Sequence, residues 1–349
     1  MPQETDIHGS AAAAYFRGND MAKQHKIKQG ISLYSLQEEY FLRKLDLEGC
    51  IATSAKLGAF GIESIGEQMM PGFPHLSESF YAKWHEWMLQ YGTVPTCHDM
   101  FLDTKRYKGR LLTDDEMVQS IKTDLQHAAK LGCTVMRVLV SVKPEIVERC
   151  IPYAEECNVK MGLEIHSPFH FDHPWIMRYT EMIERTGTTH VGYIPDMGIY
   201  VKHFPRVMRD HALRHGGSEK IIDFACAAYE ERVLPEYIIF DVGLMGGNEV
   251  DRRFAESLRH IIWSNPRRML EFMPRIYHIH AKFYEMVDDN HEFSIPYDEI
   301  IPVLIEGGYE GYLSSEYEGN RWIQDSYPVD SVEQVRRQHV MFKGLLEQH

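Results

Sequence analysis

The sequence predicts a parallel (β/α)8 barrel, on three observations. One unit recurs: an amphipathic helix runs to a glycine, and a β-rich run follows. It is seen in AKLGAFGIESIGE (55–67), MLQYGTVPTCHD (88–99), AAKLGCTVMRVLVSV (128–142), ERTGTTHVGYIPDMG (184–198) and IEGGYEGYLSSEYEG (305–319). The β-rich runs are short and apolar on both faces, as strands are when helices cover one side and a core fills the other. Most are spaced by roughly 30–40 residues, the length of one strand–helix unit.

Taken in order, strands are expected at about 29–34, 61–67, 94–99, 134–142, 160–166, 190–196, 276–283 and 311–317, with a final helix at 331–348. The glycine before each run supplies the left-handed cap that ends the preceding helix. One interval breaks the rhythm: residues 199–275 separate strands six and seven by about twice the usual gap and read as an insertion. Within it, YIIFDVG (237–243) has the composition of a strand, and a barrel closed through it would change the count. It is read as elaboration because 276–283 carries stronger site chemistry. Residues 28–349 then form a single barrel domain, behind a polar arm at 1–27.

Composition narrows the function. Apolar residues make up 44% and charged residues 25%, as in globular chains. A formal charge of −14 argues against nucleic acid or an anionic membrane as partner. No apolar run reaches the roughly 18 residues of a membrane helix, and the arm lacks the basic-then-apolar pattern of a secretory signal. Six scattered cysteines without CxxC spacing point to reduced thiols in the cytoplasm. Walker, GxSxG and HExxH motifs are absent, and LMGGNE (244–249) lacks the context of a dinucleotide loop, so no nucleotide cofactor is expected.

In a (β/α)8 barrel the active site lies at the C-terminal ends of the strands. Strand three ends in His98 and Asp99, strand five in Glu164 and His166, strand six in Asp196, and strand eight in Glu316; strand seven carries His278 and His280. Glu164, Asp196, His280 and Glu316 are the expected metal ligands. Three carboxylates converging on one mouth repel each other and lose hydration unless a cation lies among them. Oxygen-rich ligation with one imidazole suits Mn2+, the first candidate, or Mg2+, Co2+ or Zn2+. A single Glu or Asp after a strand is most often a helix cap or a solvated loop residue. What points to a metal is one such residue on each of four consecutive strands. His280 is preferred to His278, on the same face, because it lies nearer the strand's C-terminal end.

His166 shares a face with Glu164 and is the expected general base; the competing reading is a histidine that orients a carboxylate. Candidates for binding substrate are His98, Lys282, His278, Phe169 and Trp322. His98 either meets a substrate hydroxyl or is packed beneath the site, and Lys282 either stabilises an enolate oxygen or forms a plain ion pair. Phe169 and Trp322, with Phe171, Trp175 and Tyr317, would wall an aromatic or sugar face, although core packing explains each one alone. His170 and His173 read as surface loop residues.

The segments GLEIH, PDMG, HIHAKF and SSEYEG, in this order on strands five to eight, resemble the xylose-isomerase-like barrel superfamily of sugar isomerases, epimerases, inosose dehydratases and endonuclease IV. Residues 28–50 with GIESIGEQMMPGFPH (61–75) look like the alpha (large) subunit of bacterial C-glycoside deglycosidases. That resemblance implies action on 3-oxo-C-glycosides of flavonoids and related aromatics, together with a small beta subunit in a hetero-oligomer. Many ketose epimerases of the superfamily carry Asp-x-x-His after strand six. Here the run is Asp196-Met-Gly-Ile199, which weakens the case for simple sugar epimerisation. Three functions remain open: C–C bond cleavage by proton abstraction at C2 and β-elimination, isomerisation or epimerisation at the same site, and a non-catalytic scaffold with a structural metal.

Overall fold

The computed structural model describes residues 26–348, so the expected arm lies outside the described residues as far as residue 25. Eight parallel strands form one sheet: β1 (Lys28–Ser32), β2 (Gly61–Ile65), β3 (Val94–Asp99), β4 (Val135–Val138), β5 (Lys160–Ile165), β6 (Val191–Pro195), β7 (Ile279–Phe283) and β8 (Tyr312–Tyr317). Their order is β6-β5-β4-β3-β2-β1-β8-β7. The barrel is nearly closed. Across its last seam, β6 meets the β7 segment through two isolated parallel bridges, Tyr193 with Ile276 and Asp196 with His280.

The helix stops follow the local chemistry. Gly132 and Gly187 end the helices Asp114–Leu131 and Pro174–Thr186 with φ of 84° and 65°, a conformation that costs glycine little. At the other end of Asp114–Leu131, Thr113 and Glu116 form a reciprocal capping box. β4 is shorter than the run 134–142, because Val142 bonds back to Leu139 in a turn before Pro144 opens the next helix.

Residues 199–275 are largely helical, with helices at Arg206–Arg214, Glu219–Glu230, Pro235–Leu244 and Glu249–Ser257. This corrects the strand alternative for 237–243, which lies inside Pro235–Leu244. Pro235 takes the first helical position, and Ile238 and Val242, four residues apart, bury one helical face. Packing on that face overrides the strand-like composition.

Two cores result. The larger lies between sheet and helices and includes Ile31, Trp84, Tyr179, Tyr193, Phe283 and Phe342. The smaller, Cys97, Val135 and Ile194, is separate from it. Each of its members precedes a polar residue by two positions on its own segment: Asp99, Arg137 and Asp196. Since strand side chains alternate, the small apolar cluster forms the layer below a polar one at the C-terminal mouth.

Candidate metal centre

The polar layer is built from side chains two residues further along each strand. Glu164, His280 and Glu316 offer ligand atoms that all lie within 4.8 Å of one another. His280 Nδ1 is 3.0 Å from Glu164 Oε1 and 3.7 Å from Glu316 Oε2. Asp196 is buried beside them but otherwise engaged: Oδ1 accepts from the Gly198 N–H at 2.7 Å and Oδ2 from Lys282 Nζ at 2.6 Å. Lys282 Nζ is also 3.8 Å from Glu316 Oε2, so its ammonium links Asp196 to the cluster.

Three further polar side chains complete the layer. Glu63 on β2 is fully buried; its Oε2 accepts from His278 Nε2 at 2.6 Å and its Oε1 lies 3.2 Å from His280 Nε2. Glu63 thus touches both histidines of the β7 segment, and His278 stands one layer below His280. Arg137 on β4 pairs with Asp99 at 3.0 Å and approaches Glu164 at 3.8 Å. Asp99 is legible as a strand end, but Glu63 and Arg137 are not, because they lie within the apolar runs GIESI and VMRV. The available signal was charge inside a buried strand, which is costly without a partner.

These charges lie close enough to set one another's protonation. Burial, reinforced by Asp196 and Glu164 and opposed by Lys282 and His280, pushes Glu316 up to about 8. Burial also acts on Glu164, but the Arg137 guanidinium and His280 outweigh it and hold the carboxyl below the usual carboxylate range. Glu63 is likewise held low, against burial, by His280 and His278. Against the same desolvation, Glu63 and Glu316 hold His280 well above an ordinary histidine.

Several buried polar atoms here have no hydrogen-bond partner among the described residues, including Glu316 Oε2, Glu63 Oε1 and Asp99 Oδ1. Such a carboxylate oxygen is costly, and a cation at the mouth would satisfy it. The donor set, oxygen-rich with one imidazole, fits a divalent ion. Another group, His211, His215 and Asp325, brings its ligand atoms equally close, but Arg214 already holds that carboxylate at 2.8 Å.

The remaining candidates divide. His166 follows β5 and is half-buried. Its Nδ1 is 2.9 Å from the Ser167 carbonyl, which can only accept, so Nδ1 carries the proton and Nε2 keeps a basic lone pair. Phe169 stands edge-on to that ring at 6.2 Å. Trp322 is half-buried, in the turn Gly319–Trp322 after β8, edge-on to His211. His98 faces away from the mouth, with Nδ1 at 3.0 Å from Ser64 Oγ and Nε2 at 3.4 Å from Asp124. Phe171 and Tyr317 are core residues, stacked on Phe272 and tilted against Phe283 respectively. Trp175 donates to the Val140 carbonyl. His173 caps its helix by accepting from the Trp175 N–H, and His170 is half-buried rather than exposed.

Residues 51–338 match the family model described as Xylose isomerase-like TIM barrel. The chain belongs to this family. Among curated relatives of this xylose isomerase-like barrel, the 3'-dehydrocarminate deglycosidase alpha subunit of Microbacterium sp is 28% identical over 87% of this chain and 91% of its own length. The C-glycoside deglycosidase alpha subunit of Microbacterium trichothecenolyticum is 29% identical over 87% of each chain. That of Arthrobacter globiformis is 29% identical over 92% and 93%. Solved structures share the fold at low identity. The IOLI protein with a binding zinc atom has a TM-score of 0.56 at 12% identity, covering 92% of this chain and 99% of that one. D-psicose 3-epimerase in the presence of D-fructose gives 0.54 at 12%, with the same coverage. Among the described residues, no helix is long and apolar enough to cross a membrane.

Proposed function

We propose that this chain is the catalytic alpha subunit of a metal-dependent C-glycoside deglycosidase, a carbon–carbon lyase acting on 3-oxo-C-glycosides with aromatic aglycones such as flavonoids. The observation that carries the reading is the buried cluster of Glu164, His280 and Glu316, with an unpartnered carboxylate oxygen, next to a histidine whose Nε2 is free to take a proton. The names of the curated relatives support it.

Glu164, His280 and Glu316 would hold the ion, with Asp196 joining if Lys282 releases it. Mn2+ is the first choice, with Mg2+, Co2+ or Zn2+ also suited to the donors. The ion would supply Lewis-acid charge opposite the sugar carbonyl and so acidify the neighbouring C–H. His166 Nε2 removes the proton from C2, and the electron pair moves toward C3 to give an enolate. The pair then returns to form C1=C2 as the C1–aryl bond breaks, and the aryl carbon takes up a proton. One proton has moved from C2 to the aglycone, and nothing is oxidised overall. Glu63, bonded to His278 and adjacent to His280, would hold both rings in place. Phe169 and Trp322 are the aromatic surfaces proposed to meet the aglycone, and Lys282, if released by Asp196, would steady developing negative charge.

The relatives' designation as alpha subunits supports a second, small beta subunit. Six free cysteines support a cytoplasmic location. The test is to incubate the chain and its partner with a 3-oxo-C-glucoside and Mn2+ and to measure released aglycone by chromatography. Release that stops with a chelator is expected. No release sinks the lyase reading, and deuterium exchange into ketoses without release would favour an epimerase.

A further inference from the structure

The helix Pro235–Leu244 is apolar on two faces. One face buries Ile238 and Val242 in this chain. The other carries Leu234, Tyr237, Phe240 and Leu244, spaced by three, three and four residues, at 59%, 64%, 63% and 72% exposure. Val233 and Met245 extend the stripe at its ends. A lone chain rarely exposes a contiguous apolar patch of more than a few hundred Å2.

We propose that this helix is the self-association surface of the chain, pairing antiparallel with the same helix of a second copy about a two-fold axis. Together the six side chains expose on the order of 600 Å2, close to the ~800 Å2 per partner of a standard interface. The spacing of three and four is the ridge pattern by which two helices pack. In an isologous contact Leu234 of one copy lies over Leu244 of the other, and Tyr237 and Phe240 fill the centre. The antiparallel arrangement also sets the positive end of each helix dipole beside the negative end of its neighbour. Of the two acids on this helix, Glu236 is paired with Arg259 at 3.3 Å, and half-buried Asp241, four residues after Tyr237 and three before Leu244, borders the stripe, so it belongs on the wet rim of the contact.

Gly243 flanks the same face. A Cβ there would meet nothing within 4 Å among the described residues, yet glycine inside a helix is less stable than alanine. Packing among the described residues gives no reason for it, and a glycine three residues after Phe240 leaves room for a second helix at the edge of the contact. The surface is independent of the metal and substrate reading, so either can fail alone.

The test is sedimentation of the purified full chain across micromolar concentrations, for wild type, Phe240→Glu and Leu244→Lys. The wild type is expected to sediment as a dimer. Phe240→Glu should associate at least about 30-fold more weakly, as for loss of a central interface residue, and Leu244→Lys, at the end of the contact, about 5-fold more weakly; both should keep native circular dichroism and a cooperative melt, with Tm falling only as far as the lost association accounts for. A wild type that stays monomeric overturns the proposal, as does a folded Phe240→Glu or Leu244→Lys protein that dimerises undiminished.

Discussion

Glu316 and Glu63 show how one residue type serves two ends at a barrel mouth. Glu316 is buried, pushed up to about 8 and left with an orphaned oxygen, which a cation would satisfy. Glu316→Gln keeps the shape and removes the charge. Metal analysis of the purified variant should show most of the bound divalent ion gone while circular dichroism stays native; an unchanged metal content would place the ion elsewhere. Glu63 instead works through the histidines it touches. Glu63→Gln should weaken metal affinity roughly 10- to 100-fold, the usual cost of losing a partner behind a ligand. Glu63→Ala should also cost about 3–5 kcal/mol of stability in urea unfolding, because it leaves a buried ionic group uncompensated. If both variants bind metal and unfold like wild type, Glu63 is not what holds those rings.

At the scale of elements, the loop after β7 depends on one carboxylate. Glu292 is buried, and its oxygens accept from the backbone N–H groups of Tyr284, Glu285, Ser294 and Ile295. Burial nonetheless pushes it up from 4.5 to about 7. A folded-state value above the unfolded one contributes stability that is complete below about pH 4.5 and is lost as pH rises through about 7. The contribution is at most about 3 kcal/mol. Melting temperature should therefore carry a falling component between about pH 5 and 8 that Glu292→Gln removes. The variant should melt lower at acid pH, since an amide cannot accept at both ends; an unaltered slope would rule the group out. Elements of this kind also mark the limit of what the sequence shows. The eight strands are legible because glycine caps such as Gly132 and Gly187 punctuate them and their apolar runs are brief. One polar residue per strand end is legible for Glu164, Asp196 and Glu316. What is not legible is direction and partner. His98 and Asp99 are neighbours on opposite faces, and only the second faces the mouth. Asp196 is engaged by Lys282, two residues beyond His280. Glu63 and Arg137 look like flaws in apolar strands until the barrel brings their partners from elsewhere in the chain.

For the molecule as a whole, the seam between β6 and β7 is the weak line of the barrel. β1 and β8 share four register pairs and β5 and β6 share five, whereas β6 meets the β7 segment through only two isolated bridges. One of those bridges joins Asp196 to His280 through the backbone. Lys282 Nζ on Asp196 is a side-chain link across the same line. An ion held by Glu164 on β5, His280 on β7 and Glu316 on β8 would tie the two edges of the open sheet together. Binding to the folded state alone stabilises it by about 2.7 kcal/mol when the free ion is at 100 times its Kd. That stabilisation should be uneven, because most of the barrel is already held by continuous ladders and the seam is not. Hydrogen exchange followed by mass spectrometry, with and without Mn2+, should show the largest gain in protection in peptides covering 193–196 and 276–282, and little change in those covering β1 and β2. Equal protection around the whole barrel would mean that the ion stabilises the fold without closing it. No change at the seam, with the ion shown to be bound, would remove the link between the metal centre and the strands that carry it.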